Sequence, residues 1–224
     1  MKITLIKHST VLIEMNNHQL LFDYYDGEIN LNKNKPLYIF ASHSHQDHYS
    51  NKIFSLNHPH KIYILSDDIQ TSVKAYQVSP HQIYTIDDLI IETYLSTDLG
   101  VAFRVNTEDK EIYFAGDLHN WHWIGEPKDF LNKQKTIYTQ ELKRISKHRY
   151  DISFVVVDDR LEDTMFEGLQ EFLKTVQSHY IFPIHYFENY TISSKLKKEK
   201  LDNPYHASLL YPDHNYFNQH LFES

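Results

Sequence analysis

The chain has 224 residues, with 30 Asp+Glu against 22 Lys+Arg and a formal net charge of −8. With 41% hydrophobic and 14% aromatic residues it can bury a sizeable core, which excludes disordered and collagen-like chains. Zero cysteines exclude disulfides, iron–sulfur clusters and thiolate metal sites, and the acidic balance argues against gripping long nucleic acid through its phosphates.

Apolar runs of strand length dominate the first half. Lys2–Lys7, Val11–Met15 and Gln19–Asp23 read as strands, with Asn16-Asn17-His18 as a hairpin turn between the last two. The opening Met1–His8 has a lysine inside its apolar run and no cleavage-site pattern, so no secretory signal is expected and the expected location is cytoplasmic. Leu37–Phe40 predicts a short buried strand, followed by the polar run Ala41–Ser50. Lys61–Leu65 predicts a strand and Asp67–Tyr76 a helix. Leu89–Leu95, Val101–Asn106 and Glu111–Ala115 predict three consecutive strands. Phe130–His148 has helical spacing without Gly or Pro; Ser153–Val157 reads as a buried strand, Phe166–His179 as a helix and Tyr180–Pro183 as a last strand. No run is long enough and apolar enough for a membrane span. Strands that come first as hairpins and then alternate with helices imply two sheets with helices outside them, an α/β sandwich in a single domain over residues 1–224.

Sixteen histidines are unevenly placed. Ser42-His43-Ser44-His45-Gln46-Asp47-His48 is H-x-H-x-D-H directly after a buried strand. His43 and His45, two apart in extended backbone, present imidazoles to one side, and Asp47 and His48 follow where the chain turns. Neutral imidazoles and carboxylates suit zinc, manganese or iron without thiolates. Asp117 follows a strand in Tyr-Phe-Ala-Gly-Asp, where Gly116 permits a tight turn, and His185 follows the last strand in Ile-Phe-Pro-Ile-His. All of these ligand-type residues come off strand ends, where sites on layered α/β folds lie.

H-x-H-x-D-H, the Gly-Asp after a strand and the late Pro-x-His after a strand resemble, in order, the metal motifs of the metallo-β-lactamase superfamily. The opening Lys7-His8-Ser9-Thr10-Val11-Leu12-Ile13-Glu14 with Leu20-Leu21-Phe22-Asp23 is similar to the branch containing ascorbate-phosphate lactonase-like and phospholipase-like hydrolases. The resemblance spans residues 3–187 and implies a four-layer αβ/βα sandwich with one or two divalent ions, zinc first and manganese or iron as alternatives, between the sheets. It implies a first metal position at His43, His45 and Asp117 and a second at Asp47, His48, Asp117 and His185. The stretch Tyr94–Val101 lacks the histidine that the superfamily usually supplies to the first position, and Asp98 is the nearest replacement. Asp23 matches a carboxylate that orients a ligand histidine.

Four further residues are candidates for substrate contact: Arg160, as a fork for a phosphate or carboxylate or else a structural ion pair, and His8, His119 and His122 as pocket-lining groups. Trp121 and Trp123 are expected beneath a surface helix. The expected function is metal-dependent hydrolysis of a small, possibly anionic, ester, lactone or phosphodiester, with Asp47 handling the proton. The alternative is a metal- or ligand-binding module that kept the fold and lost turnover.

Overall fold

The computed structural model describes residues 1–222. The first sheet is built from β1 (Lys2–Lys7), β2 (Thr10–Glu14), β3 (Gln19–Phe22), β4 (Leu37–Ala41), a single helical turn α1 (Lys52–Ser55), β5 (Lys61–Ser66) and β6 (Tyr76–Val78). The second contains β7 (Ile83–Ile86), β8 (Leu89–Leu95), β9 (Val101–Thr107), β10 (Lys110–Phe114), β11 (Arg149–Val156), β12 (Gln177–Ile184) and β13 (Ser208–Leu209). Helices α2 (Lys128–Ile145), α3 (Glu167–Thr175) and α4 (Thr191–Leu196) are interspersed, and β14 (Phe217–His220) returns to the first sheet beside β1. The two seven-stranded sheets run β14-β1-β2-β3-β4-β5-β6 and β13-β12-β11-β10-β9-β8-β7. The architecture is the expected α/β sandwich.

Pairing direction decides where the chemistry falls. β1 and β3 each run antiparallel to β2, and β4 runs parallel to β3, so β1, β3 and β4 point the same way. In the second sheet β8 and β10 each run antiparallel to β9, while β11 and β12 run parallel to β10. The C-terminal ends of these seven strands, β1, β3, β4, β8, β10, β11 and β12, lead into one edge. The residues immediately beyond them include His8, Asp23, His43, Asp98, Asp117, Asp158 and His185.

Below that edge lies an aromatic seam. β3, β4, β9, β10, β11 and β12 each send one phenylalanine inward: Phe22, Phe40, Phe103, Phe114, Phe154 and Phe182, all fully buried. Phe22 stacks on Phe40 and on Phe114 with centroids 4.6 Å apart in each pair, and Phe114, Phe154 and Phe182 continue the series. Burying a phenylalanine contributes on the order of 1.5–3 kcal/mol, so these rings fix the strand ends rigidly beneath the site. Outside the second sheet, α2 buries Tyr138, Leu142 and Ile145 at helical spacing and α3 buries Leu169, Phe172 and Leu173. The Tyr138 hydroxyl donates to the Gly168 carbonyl at 2.8 Å and ties the two helices together. Outside the first sheet the cover is thinner. Ile53 of α1 and loop side chains complete a smaller cluster with Leu21, Ile39 and Leu65.

Three expected elements differ. Asp67–Tyr76 forms no helix: it runs as turns and bends into β6. Asp67 accepts from the Ser79 hydroxyl and Asp68 accepts the Ser44 N–H, which tie the segment to other loops, and the Thr71 hydroxyl accepts the Val73 N–H, a local bond that competes with helical ones. The helix expected over Phe166–His179 stops at Thr175. The β-branched Val176 is extended (φ −111°, ψ 127°) and the chain joins β12. Residues 118–126 are irregular, so the expected helix around Trp121 and Trp123 is absent.

Candidate metal centre

The segment after β4 is drawn close to the second sheet by two glycines. Gly100 has φ +68° and lies so near the first sheet that a Cβ there would stand 2.0 Å from the Ser42 carbonyl oxygen and 2.7 Å from His43 Cβ. Gly116, at φ +52°, would meet Ser42 Cβ at 2.6 Å. Only glycine permits this approach at these angles. The Val101 N–H donates to the Ser42 carbonyl at 2.9 Å and seals the junction.

Carboxylates and a hydroxyl then orient three imidazoles by the same logic. Asp23, fully buried at φ +46°, accepts the Ser42 N–H and the Ser42 hydroxyl, each at 2.7 Å, and its Oδ2 lies 2.7 Å from His48 Nδ1. Because the Ser42 hydroxyl gives its proton to Asp23, its oxygen accepts from His43 Nδ1 at 2.9 Å. Asp158 does for His185 what Asp23 does for His48, with Oδ2 3.0 Å from His185 Nδ1. In each ring the partner fixes Nδ1 as the donor, which leaves the Nε2 lone pair for a metal once the ring is neutral.

Those lone pairs converge on Asp117. His48 Nε2 and His185 Nε2 lie 3.0 and 3.1 Å from Asp117 Oδ1, and His43 Nε2 lies 3.5 Å from Oδ2. The carboxylate thus faces both sides of the cluster. His45 Nδ1 sits 3.0 Å from His43 Nε2 and 3.5 Å from Asp98 Oδ2. His43, His45, Asp98 and Asp117 each bring one ligand atom within 4.8 Å of the others, and His8, Asp47, His48 and His185 do the same on the other side. The backbone of Asp117 is fixed as well, its carbonyl accepting from Trp121 Nε1 at 3.1 Å.

The electrostatics are those of a cation site. Burial alone would raise the Asp117 carboxyl, but His48 and His185 outweigh it and hold it well below the usual carboxylate value. Burial alone would lower His48, yet Asp117 and Asp23 raise it well above the ordinary imidazole value. Asp98, desolvated and beside Asp117, is pushed up. Among the described residues five aspartates (Asp23, Asp47, Asp98, Asp117 and Asp158) surround the cluster, with Arg160 as the adjacent permanent cation. Among the described residues His48 Nε2, His185 Nε2 and Asp117 Oδ1 are buried without a hydrogen-bond partner. Leaving such groups unpaired costs about 1–3 kcal/mol each. A divalent ion would satisfy all three, so the residues present fit the metal that their types imply.

A cleft of about 340 Å³ opens over this cluster, lined by Asp47, Asp98, Trp123, Phe130 and Arg160 among others. Arg160 is both an ion-pair residue and a cleft residue. Its Nε lies 2.9 and 3.0 Å from the two Asp158 oxygens, while its guanidinium lies 4.6 Å from the Phe187 ring centre and 5.6 Å from that of Trp123. Nη1 is not engaged by Asp158. His8, His119 and His122, expected as pocket-lining groups, do not line the cleft. His119 is wholly buried against α3, where a Cβ on Gly168 would sit 2.2 Å from its Cε1. The His122 ring turns to Glu167 at 2.7 Å. No motif in the sequence marks Asp158, which lies two residues beyond β11 as Asp23 lies one beyond β3.

Structural comparison places Igni18, a metallo hydrolase from Ignicoccus hospitalis, at TM-score 0.69 and 14% identity, covering 98% of both chains. The metallo-β-lactamase fold protein YhfI from Bacillus subtilis follows at TM-score 0.62 and 13% identity, covering 97% of this chain and 98% of the other. The diiron β-hydroxylase CmlA from Streptomyces venezuelae is similar at TM-score 0.55 and 13% identity over 82% of this chain and 44% of its own. At these identities the likeness establishes the fold. No curated protein matches the chain in sequence. The family model described as Beta-lactamase superfamily domain matches residues 2–128, more than half of the chain and a span that contains both the H-x-H-x-D-H segment and Asp117. The chain belongs to the β-lactamase superfamily.

Proposed function

We propose that the chain is a metal-dependent hydrolase of a small ester, lactone or phosphodiester, acting as a single domain. The observation that carries this reading is the convergence of unpartnered imidazole Nε2 atoms on Asp117 at the floor of an open cleft. His43, His45, Asp98 and Asp117 would hold one divalent ion, and Asp47, His48, Asp117 and His185 a second. When bound, such ions polarise the scissile group and make water nucleophilic at neutral pH.

The protein's own groups divide the remaining work. Asp47 is half-exposed at the cleft and held below the usual carboxylate value, first by the His8 imidazole 3.6 Å away, so it stays anionic and accepts the proton released by the attacking water. Arg160, with its plane fixed by Asp158 and flanked by two rings, offers the Nη1 edge that Asp158 leaves open to an anionic substituent. Asp98 supplies the carboxylate where a histidine is absent, which tilts the first position toward harder ions such as manganese or iron. With five carboxylates nearby, an anionic substrate is repelled until the ions are in place, so metal loading and substrate binding are coupled. The opening motif favours the lactonase-like branch, and a cytoplasmic location goes with that reading.

The test is hydrolysis of bis-p-nitrophenyl phosphate, p-nitrophenyl acetate and a simple lactone, each with added Zn²⁺, Mn²⁺ or Fe²⁺. Turnover that requires metal and disappears in Asp47→Ala supports the hydrolase. Stoichiometric metal binding with no turnover on any substrate favours the binding module. Oxygen consumption by the iron-loaded protein would move the chemistry to oxidation.

A further inference from the structure

Of the histidines around Asp117, His8 has the opposite proton arrangement. It is buried, with φ +50°, and the chain after β12 staples it in place: the His185 N–H donates to the His8 carbonyl and the Phe187 N–H donates to His8 Nδ1, each at 3.2 Å. A neutral imidazole has one acceptor and one donor nitrogen. Since Nδ1 accepts, Nε2 holds the proton, whereas His43, His48 and His185 hold theirs on Nδ1 and leave Nε2 open. His8 Nε2 faces Asp47 Oδ2 at 3.6 Å and has no closer partner among the described residues. The Phe187 ring covers the imidazole at 3.9 Å between centroids, and the His185 ring lies 4.2 Å away, so the side chain cannot turn over without breaking its backbone bond.

We propose that His8, although it lies among the groups able to surround a metal ion, is not a ligand but a positioning residue whose Nε2–H holds one oxygen of Asp47. With Oδ2 directed to His8, Asp47 presents its other oxygen to the second metal position and is kept from chelating with both. This deepens the hydrolase reading, because the proton acceptor in the cleft is then aimed by a donor fixed from the opposite sheet. Replacing a group that orients a metal-binding carboxylate costs about 10–100-fold in activity or metal affinity.

The direct test is long-range ¹H–¹⁵N correlation on ¹⁵N-histidine protein before and after zinc. The expected result is a His8 ring with protonated Nε2 in both states, while the Nε2 signals of His48 and His185 move to the metal-bound range. Loss of the His8 Nε2 proton on zinc addition would overturn the proposal by making it a ligand. This readout does not depend on hydrolysis, so it separates failure of the His8 role from failure of the hydrolase assignment. In the assays, His8→Gln, whose amide N–H reaches the same place, is expected to keep metal content and most of kcat. His8→Leu is expected to keep metal content and KM while kcat falls about 10–100-fold. A His8→Leu protein that loses one ion per chain, or a His8→Gln protein as impaired as His8→Leu, contradicts it.

Discussion

Gly100→Ala is the perturbation with the sharpest structural consequence. The added methyl has no room: at φ +68° its Cβ would lie 2.0 Å from the Ser42 carbonyl oxygen and 2.7 Å from His43 Cβ, and neither is the end of a flexible side chain. Two costs add. An alanine in the left-handed region costs about 1–2 kcal/mol, and overpacking a tight site costs about 1–3 kcal/mol. Gly125 is a built-in control, since its φ is +94° with nothing within 4 Å of a Cβ, so Gly125→Ala carries the backbone cost alone. The difference between the two variants isolates the collision, about 1–3 kcal/mol, or roughly 2–12 °C in Tm for a chain of this size. Thermal unfolding of chelator-treated protein measures it. Zinc titration then locates it, because the collision pushes Ser42 and His43 away and should weaken the first metal position while sparing the second. Equal Tm losses for the two variants, with an unchanged titration for Gly100→Ala, would refute the claim that the metal loop is wedged against the second sheet.

Arg160→Lys keeps the charge but loses the fixed fork, so KM for an anionic substrate should rise several-fold, about 1 kcal/mol, with little change for a neutral one; equal KM values would return Arg160 to a purely structural ion pair with Asp158. Asp158→Asn removes the charge that steadies His185 and Arg160 together, so zinc affinity at the second position should fall about 10–100-fold and KM should rise in the same variant, and a change in one without the other would separate the two roles. Without metal, raised His48 and His185 stabilise the fold below the unfolded histidine pKa, and this contribution is lost as pH rises through their folded values. The depressed Asp117 and Asp158 stabilise above the unfolded carboxylate value and lose their contribution in acid. Zinc must displace the imidazole protons, so the Tm gained on adding zinc should grow from about pH 6 to about pH 8; a gain independent of pH would mean that these imidazoles are not where the metal binds.

Much of this molecule is legible in the sequence because short-range rules carry it. The strands around Phe22, Phe40, Phe114, Phe154 and Phe182 announce themselves as apolar runs, and His43, His45, Asp47 and His48 share one short segment. The turn at Asn16–Asn17 is equally local, although Glu108 of the opposite sheet accepts both of its N–H groups. What the sequence hides is what depends on the other sheet. The bond from Phe187 N–H to His8 Nδ1 joins residues 179 apart, and no periodicity foretells it. Asp158 gains its role because β11 and β12 lie side by side in parallel, which places it beside His185. Asp67–Tyr76 has helical spacing at Ile69 and Val73, but Val73 stays exposed and its neighbours bond locally, so no packing favours a helix there. His119 and His122 follow Asp117 closely in sequence, yet the irregular backbone turns one ring toward Gly168 and the other to Glu167. β7 and β14 are edge strands with mixed burial, and such strands give a weak apolar signal.

Calorimetric titration of metal-free protein with Zn²⁺, in the wild type and in Asp98→Ala and Asp117→Asn, tests the central claim most directly. Asp47, His48, His185 and Asp117 make one position rich in protein ligands, while the other relies on His43, His45, the shared Asp117 and the half-exposed Asp98. The wild type should therefore take up two ions per chain in one tight and one weak step. Asp98→Ala should weaken or abolish only the weak step, and Asp117→Asn should damage both because its two oxygens face both sides. Two equally tight steps unchanged by Asp98→Ala, or binding that survives Asp117→Asn intact, would contradict the account.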